Sequence, residues 1–190
     1  MDLMDNSPHQ WIATLSAEKL NRLNFYCYRT LNQEDIQNII IRLHQIISKY
    51  DSLGNFFEHL YRLSDNQVPE MLSNFHQNFT DLFPQRTKRH IANIRTGSAA
   101  KRLNMYLRWM VRDDNRGVDF GLWKFITPAE LYLPLDVHSG RVARKLGLLN
   151  IKSNNWRAVE EITSLLRTFN PNDPAIYDYA LFGLGVFEKF

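Results

Sequence analysis

Apolar residues recur at intervals of three and four along most of the chain, a spacing that predicts amphipathic α-helices. The stretch 34–50 shows it best, because six aliphatic residues there share one wide face: Ile36, Ile39, Ile40, Leu43, Ile46 and Ile47. No stretch alternates apolar and polar residues in the manner of a half-buried strand. The pattern predicts an all-α protein, a single helical domain over residues 1–190 with two lobes around a cleft.

Residues with capping preferences predict where these helices begin and end. The first helix is expected from Ser16 to about Tyr28, with its buried face drawn from Leu20, Leu23 and Phe25 or Tyr26. Asn32 is expected to cap the helix over 34–50, and a basic loop is expected over 86–95. Further helices are predicted after Asp51 or Ser52, around Met71–Phe79, and from Asn155 to Phe169, with Phe169 in the core. The last helix is predicted to run to about Leu184, with Asp173 as its N-cap and Pro174 at its first position.

A lysine lies near the start of another predicted helix. Gly97-Ser98 is a break followed by a good N-cap residue, which predicts a helix from about Ala99. Its core stripe is expected from Leu103, Tyr106, Leu107 and Met110. Lys101, Arg108 and Arg112 line up in a narrow band on another face, with Asn104 near it, so one side of this helix is predicted to be cationic.

Positive charge is concentrated around that helix. The stretch 82–112 contains no Asp or Glu. It contains eight of the chain's 23 Lys and Arg residues. Free N–H groups at residues 97–100 would suit a phosphate, and a basic stripe would suit a polyanion backbone. The alternative is an ordinary solvent-exposed helix face. The charge pattern alone favours this alternative over a nucleic-acid-binding surface, because such faces are common. The candidate nucleic-acid-binding residues are Arg86, Lys88, Arg89, Arg95, Gly97, Ser98, Arg102, Arg108 and Arg112.

An aspartate lies at the start of the next long helix. Pro134 discourages helix before it, so Asp136 is a natural N-cap for a helix from about Val137 to Leu146, with Gly147 as C-cap. Val142 and Leu146 are expected in its buried face. The simplest role for a single aspartate at this position is the cap itself.

Composition narrows the classes of function. The net charge is only +3, so a nucleic-acid signal must come from clustering. The one cysteine, Cys27, excludes an internal disulfide and a four-cysteine cluster, and it is expected in the core. The six histidines lack metal-ligand spacing, and no phosphate-binding glycine motif or GxSxG is present, so neither metal nor cofactor is expected. No apolar run approaches membrane-spanning length and no signal peptide is visible, which predicts a cytoplasmic protein without a membrane partner.

Two segments resemble the helix–hairpin–helix DNA glycosylase superfamily. The stretch 133–149, LPLDVHSGRVARKLGLL, is similar to the superfamily's aspartate segment, with matches at Asp136, His138, Arg141, Val142, Leu146 and Gly147. The stretch 101–107, KRLNMYL, resembles the run that carries the lysine of the bifunctional members. The wide spacing between Lys101 and Asp136 is similar to that of an archaeal 8-oxoguanine glycosylase subfamily, and the last predicted helix resembles the last helix of the fold.

This resemblance implies a helix–hairpin–helix glycosylase-like bundle that excises a damaged base flipped out of duplex DNA. Lys101 would be the nucleophile that forms a Schiff base with the sugar, and Asp136 would stabilise the cationic sugar and orient or activate the lysine. Six residues would line the pocket or orient these groups: Asn104, Trp109, Asp119, Trp123, His138 and Arg141. Tyr177 and Asp178 are further polar candidates. The structural alternatives are a core position for Trp109, a loop cap for Asp119 and a helix-start hydrogen bond for His138.

A larger part of the chain resembles a bacterial family, the domain of unknown function 2400 family. The shared features are RTKRH at 86–90, KRLNMYLRWMVR at 101–112, GVDFGLW at 117–123, PLDVH at 134–138 and YDYALFGLG at 177–185. Members usually carry another helical segment before the position of Met1, so an N-terminally shortened member is expected.

Two other functions remain open at this point. One is a non-catalytic DNA- or RNA-binding module of the same fold, which would tolerate loss of Lys101. The other is a helical interaction domain without a nucleic-acid role. The enzyme hypothesis requires Lys101 and Asp136 to lie within several ångströms of each other, and side chains on opposite surfaces would exclude it.

Overall fold

The computed structural model describes residues 4, 6–23, 27–114, 117–188 and 190. The described residues form helices joined by turns and loops and no β-strand, which confirms the all-α prediction. None of these helices has the length and apolar character needed to cross a membrane. The α-helices are α1 (Pro8–Ala13), α2 (Ala17–Asn21), α3 (Gln33–Tyr50), α4 (Leu53–Leu63), α5 (Val68–Thr80), α6 (Gln85–Lys88), α7 (Lys101–Val111), α8 (Val137–Lys145), α9 (Trp156–Phe169) and α10 (Asp178–Val186). Short 3₁₀ helices cover Ile94–Thr96, Pro128–Glu130 and Pro174–Tyr177.

The chain divides into two compact units. The first comprises Met1–Gln67 and Asn74–Ile91, and the second comprises Val68–Ser73 and Ala92–Phe190. Helix α5 therefore contributes residues to both. The expectation of one domain with two lobes around a cleft stays a prediction.

Stacked aromatic rings build the core of the first unit. The rings of Phe57 and Phe75 stack at a centroid distance of 4.8 Å, and Phe75 and Phe79 stack at 5.1 Å. Phe83 meets the ring of Phe79 edge-on at 5.5 Å. Because each ring buries a large apolar area, this row holds α4 against the Asn74–Thr80 part of α5.

Helix α3 begins with the predicted Asn32 cap, and one residue of this cap, Asp35, also binds side chains of a later segment. The Asn32 side chain accepts the Asp35 N–H and the Asp35 side chain accepts the Asn32 N–H, a reciprocal capping box. The fully buried Asp35 carboxylate also accepts a 2.8 Å hydrogen bond from Thr87 Oγ1. Its Oδ2 lies 3.4 Å from both Arg86 Nε and His90 Nε2. The predicted basic loop is therefore wrong at its beginning, since 85–88 is helical and Arg86 has an internal carboxylate partner.

The Asp35→Asn variant is expected to lower the free energy of unfolding at pH 7 by roughly 1–3 kcal/mol, because Arg86 loses its charged partner. Burial alone raises the pKa of Asp35, but hydrogen bonds from Asn32 and Thr87 and the charge of Arg86 hold this pKa below its ordinary 3.8. The carboxylate therefore stabilises the fold above about pH 4 and loses this effect as the pH falls through its folded pKa. Urea unfolding of wild type and variant should show a smaller difference at pH 3 than at pH 7. The exposed neighbour supplies a control, Glu34→Gln, and an Asp35→Asn effect equal at both pH values would contradict the prediction.

The helix predicted from Ser16 to Tyr28 is shorter than expected. The Ser16 side chain caps α2 as predicted, but the helix ends at Asn21. Tyr28 and Leu31 exchange two backbone hydrogen bonds of 3.0 Å around Arg29, whose φ of 55° turns the chain back. A turn of this kind cannot continue a helix.

The residues predicted to be buried in that region have different surroundings. Leu23 is buried as expected, whereas Leu20 is only partly buried. Cys27 is exposed, so its predicted core position is wrong. Phe25 and Tyr26 lie outside the described residues.

The second unit packs α8 closely against α10. A Cβ atom added to Gly185 of α10 would lie only 3.0 Å from His138 Cβ on α8, so any larger residue would have to displace His138 slightly. Leu131, Leu133 and Leu135 are buried before α8, and Leu133 N–H donates to Thr163 Oγ1 of α9 at 3.1 Å. These contacts fix the point at which α8 begins.

Two residues predicted to be buried are exposed at helix ends. Leu146 is the C-cap of α8 and Phe169 is the last residue of α9, with 46% and 55% of their surfaces exposed. Both lie where the chain leaves the core, so the apolar period of the helix no longer determines burial there.

Candidate active site

A tight turn brings Lys101 to the first position of α7. Gly97 and Ala100 both have left-handed backbones, with φ of 89° and 47°, a conformation that is costly for alanine. The Gly97 carbonyl accepts a 3.1 Å hydrogen bond from Trp156 N–H, which ties the turn to the start of α9. The helix therefore begins two residues later than predicted, with Ala100 instead of Ser98 at the cap position.

The predicted cradle of free N–H groups before α7 is wrong at three positions. Gly97 N–H donates to the Ile94 carbonyl at 3.0 Å, and Ser98 N–H donates to the Asn93 carbonyl at 3.1 Å. Ala100 N–H donates to Ser98 Oγ at 3.2 Å. These amides are engaged within the turn, because its own geometry satisfies the donors that a straight helix start would leave open.

Asp136 caps α8 as the sequence predicts. Its Oδ1 accepts hydrogen bonds from the backbone N–H groups of His138 at 2.8 Å and Ser139 at 3.0 Å. Asp136 N–H donates to Ser139 Oγ at 2.9 Å, which completes a capping box. The two backbone N–H groups that bind the carboxylate both donate to Oδ1, so the orientation of the carboxylate is fixed and Oδ2 is directed elsewhere.

A second set of bonds fixes the Asp136 backbone. Asn154 Nδ2 donates to the Asp136 carbonyl at 2.8 Å, and Arg144 Nη2 donates to Asn154 Oδ1 at 2.6 Å. Arg144 Nε donates in turn to the Ile151 carbonyl at 2.7 Å. The Asn154 amide passes directly over Gly140, where an added Cβ would lie 2.6 Å from Asn154 Oδ1.

The Gly140→Ala variant is expected to lose roughly 1–3 kcal/mol of stability, since the new methyl group must displace the Asn154 amide from Asp136. Alanine is normally more favourable than glycine inside a helix, so helix propensity alone predicts a more stable variant. A loss of stability would therefore identify the clash with Asn154 as its cause. Thermal unfolding measures the effect. Gly183→Ala is the matched control, because a Cβ added to that helical glycine meets nothing within 4 Å. A Gly140→Ala protein as stable as Gly183→Ala would contradict the assignment.

The two helix starts bring Lys101 and Asp136 together. Lys101 Nζ lies 3.8 Å from Asp136 Oδ2, and the Lys101 amine also approaches Met105 Sδ at 3.6 Å. The two side chains are 35% and 17% exposed, so the pair is accessible to solvent yet partly desolvated. An amine beside an oriented carboxylate can act as a nucleophile, with the carboxylate stabilising positive charge on the group that it attacks.

Arg108 and Arg112 do not lie on an open cationic face, which corrects the prediction for α7. Both are buried, with 3% and 8% of their surfaces exposed. The face of α7 that is buried contains Asn104, Leu107, Arg108 and Val111, so the helix is rotated relative to the predicted core stripe. Buried guanidinium groups are stable only with charged partners, and this face of α7 meets several carboxylates.

Aspartates from three parts of the second unit pair with these arginines. Arg108 Nε lies 3.3 Å from Asp119 Oδ1, Arg108 Nη1 pairs with Asp178, and Arg108 Nη2 donates to Tyr179 Oη at 2.9 Å. Arg112 pairs with Asp119 through Nη1 and donates to Asp173 Oδ2 through Nε at 2.8 Å. The network therefore connects α7, the segment around Asp119 and the chain that leads into α10. Asp119 is an ion-pair partner here, not the loop cap that was its alternative role.

Asp178 differs from an ordinary aspartate. Burial raises the pKa of the Asp178 carboxyl to about 6, although the positive charges of Arg108 and Lys101 act in the opposite direction, and the charge of Asp136 adds to the increase. Its charge therefore changes close to neutral pH, and it lies within the electrostatic field of the Lys101–Asp136 pair.

Three other predicted pocket residues make contacts with neighbouring parts of the fold. Trp123 is buried between the rings of Tyr106 and Phe125. Asn104 is buried and donates to the Ala99 carbonyl at 3.2 Å, which fastens the turn before α7. Trp109 is half-buried, and its carbonyl accepts the Phe120 N–H at 2.7 Å.

Two predicted residues connect the start of α8 to α10. The His138 ring meets the Phe182 ring edge-on at 5.9 Å, and its backbone N–H bonds to Asp136, which agrees with the structural alternative for this residue. Arg141 Nη2 donates to the Gly185 carbonyl at 2.7 Å. Both residues help to hold α8 against α10, and they therefore help to position Asp136 at the start of α8.

The remaining cationic candidates are distributed over both units. Arg86, Lys88 and Arg89 belong to the first unit. In the second unit Arg95 pairs with Glu70, and Arg102 is exposed on α7 next to Lys101. Among the described residues no group of three His, Cys, Asp or Glu side chains is arranged to hold a metal ion.

Asn154 was not predicted as a site residue, and Asp173 has a different role from the predicted one. Asp173 was expected to cap the last helix, but its side chain makes no cap hydrogen bond and pairs with Arg112 instead. One sequence feature could have indicated the buried ion pairs. Two arginines, Arg108 and Arg112, lie four residues apart beside the apolar Leu107 and Val111, and several aspartates follow them in the chain. No local signal marks Asn154, because its partner carbonyl is 18 residues away.

Comparison with known proteins gives one family. A family described as "Protein of unknown function (DUF2400)" matches residues 1–187. No curated protein and no solved structure matches significantly. Since the match extends over nearly the whole chain, including both helix starts of the candidate site, this protein belongs to the DUF2400 family.

Proposed function

We propose that this protein binds DNA and acts on a damaged or abasic nucleotide as a DNA glycosylase or abasic-site lyase. Lys101 is the nucleophile and Asp136 is the carboxylate that stabilises the sugar cation. The observation that carries the proposal is the 3.8 Å approach of Lys101 Nζ to Asp136 Oδ2 at two adjoining helix starts. The two residues are 35 positions apart in sequence, so only the fold brings them together.

The proposed chemistry uses the amine directly. The Lys101 ammonium loses a proton to solvent or a nearby base, and its nitrogen then forms a bond to the sugar C1′ while the base leaves with the electron pair of the glycosidic bond. Opening of the sugar ring then gives a Schiff base between Lys101 and C1′. On an abasic site the same amine condenses with the free aldehyde and releases water. The Asp136 carboxylate stabilises the positive charge that develops on the sugar.

The fold that we propose is the helix–hairpin–helix DNA glycosylase type. Three features support it: the all-helical second unit, the turn before Lys101, and the aspartate that caps α8. For phosphate contacts we propose the exposed Arg102, which follows Lys101 on α7. Arg108 and Arg112 are omitted from this role because they are buried with carboxylates.

The test is borohydride trapping of the wild-type protein on a panel of duplexes, each with one lesion, with an abasic site among them. A covalent protein–DNA complex on one or more duplexes is expected, and the lesion that gives it identifies the substrate. If nothing is trapped, base release is measured on the same panel. Binding that weakens with rising salt, without trapping or base release, would indicate a non-catalytic nucleic-acid-binding module. The absence of binding even at low salt would reject a nucleic-acid role.

A further inference from the structure

Residues 154–156, here called the bridging segment, contact both helix starts of the candidate site. On one side the Asn154 side chain donates from Nδ2 to the Asp136 carbonyl at 2.8 Å. On the other side Trp156 N–H donates to the Gly97 carbonyl at 3.1 Å, within the turn before α7. Three consecutive residues therefore connect the start of α7 with the start of α8.

A second contact joins the bridging segment to the turn before Lys101. The backbones of Ser98 and Asn155 pair as an isolated antiparallel β-bridge, so the two stretches run side by side. From α7, Asn104 Nδ2 donates to the Ala99 carbonyl at 3.2 Å. The turn that leads into Lys101 is therefore held both by the bridging segment and by its own helix.

The bridging segment is itself fixed by its neighbours. Arg144 of α8 donates from Nη2 to Asn154 Oδ1 at 2.6 Å. The Asn155 side chain caps α9, and the buried Trp156 has its ring 5.1 Å from the ring of Tyr132. A segment held in this way keeps its contacts with the two helix starts at a constant separation.

Lys101 and Asp136 depend on such support because their own contact is weak. The separation of 3.8 Å between Lys101 Nζ and Asp136 Oδ2 is longer than a hydrogen bond, and the two side chains are 35% and 17% exposed. A partly exposed ion pair at this distance contributes little to stability, so it cannot fix the positions of its own partners. The distance between the two groups is set instead by the contacts that hold the helix starts.

We propose that the bridging segment sets the distance between Lys101 and Asp136, and that Asn154 is the residue that positions Asp136. The inference rests on the proposed function, because the reaction gives this distance its chemical consequence. An amide side chain suits the role, since its oxygen accepts from Arg144 while its nitrogen donates to the Asp136 carbonyl. Asn154 acts through the Asp136 backbone and not on the substrate.

Asn154→Asp tests this role with almost no change of size. The new carboxylate can still accept from Arg144, but it cannot donate to the Asp136 carbonyl. The single-turnover rate of borohydride trapping on an abasic duplex should fall by about tenfold, because a small displacement of one reacting group is enough to slow a positioned reaction. Affinity for a duplex with an unreactive tetrahydrofuran abasic analogue should stay within about twofold of wild type, since the change affects the reaction and not ground-state binding.

Gly140→Ala disturbs the same hydrogen bond from the side of α8. The added Cβ would lie 2.6 Å from Asn154 Oδ1, so the amide must move away from Asp136. The trapping rate should again fall by about tenfold with little change in affinity. The double variant with Asn154→Asp should also lose about tenfold, not a hundredfold, because both substitutions break one bond. Rate losses that multiply would show that they do not arise from this bond, and would overturn the inference.

Two matched variants serve as controls. Asn150→Asp is the same substitution with the same added charge in the same loop, but Asn150 is exposed and its side chain donates to Glu161. Gly183→Ala adds a methyl group to a helical glycine with open space around it. Both should trap at the wild-type rate. Thermal unfolding of every variant establishes that it is folded at the assay temperature.

The outcomes separate this inference from the proposed function. If wild type is trapped and a folded Asn154→Asp protein traps at the same rate, the positioning role is overturned and the proposed function stands. Equal losses of trapping rate and affinity also overturn the role, since they indicate a general disturbance of the site. If Asn154→Asp does not fold, Gly140→Ala decides, and a wild-type rate in that variant overturns the inference. Wild type that is never trapped overturns the proposed role of Lys101 and this inference with it.

Discussion

In the Lys101→Gln variant we expect covalent trapping on an abasic duplex to fall by on the order of a thousandfold or more, because glutamine has no amine to form the Schiff base. The side chain keeps similar length and remains able to donate a hydrogen bond to Asp136, so the geometry of the α8 start should persist. Stability should change by only about 0–1 kcal/mol, since the ion pair is partly exposed to solvent. Borohydride trapping under single-turnover conditions measures the first effect and thermal unfolding the second.

Lys124→Gln is the matched control for that experiment. Lys124 is an exposed lysine of the same unit, and the substitution removes the same charge. It should trap as wild type does. Equal trapping by Lys101→Gln and wild type would place the nucleophile on another residue, and the proposed role of Lys101 would be wrong.

The Arg108→Met variant should show the largest loss of stability in the chain, about 3–5 kcal/mol, because it leaves buried carboxylates without their partner. Arg108 is the central group of the network: it meets Asp119, Asp178 and the Tyr179 hydroxyl, and its guanidinium lies 4.4 Å from the centre of the Tyr179 ring. Methionine fills a similar volume, so the lost charge causes most of the effect. The melting temperature should fall by roughly 6–20 °C.

Arg102→Met tests whether the effect depends on burial. Arg102 lies on the same helix but is exposed, so the same substitution should change stability by no more than about 0.5 kcal/mol. Comparable losses in the two variants would show that the network does not stabilise the second unit. Calorimetry is suited to this comparison, because two compact units can give two transitions.

Local sequence was sufficient for the helices whose signals are short-range. The apolar period and the Asn32 cap placed α3 within one residue of its observed start, and the Asn155 cap did the same for α9. Asp136 was correctly predicted as the cap of α8, since its partners are two and three residues away. The same local reasoning failed for the helix that Ser16 caps, which was predicted to continue to about Tyr28 but ends at Asn21.

Only part of the candidate site could be predicted from the sequence. The resemblance to known segments selected Lys101 and Asp136, and the structure brings them to 3.8 Å. Charge spacing predicted that Arg108 and Arg112 would share the lysine's exposed face, but they are buried. A helical period tells which residues share a face of α7, yet it cannot tell whether that face meets water or carboxylates from distant segments.

The sequence by itself determined that this chain is all-helical, where most helices begin, and which lysine and aspartate open two of them, because caps and apolar periods act over a few residues. Only the tertiary structure decided the charge of the site. Asp119, Asp173 and Asp178 are 7 to 70 residues from the arginines they meet, and Asn154 is 18 residues from the carbonyl it fixes. Burial at the packed face of α7 makes each of those ion pairs obligatory, and burial is a property of the folded chain.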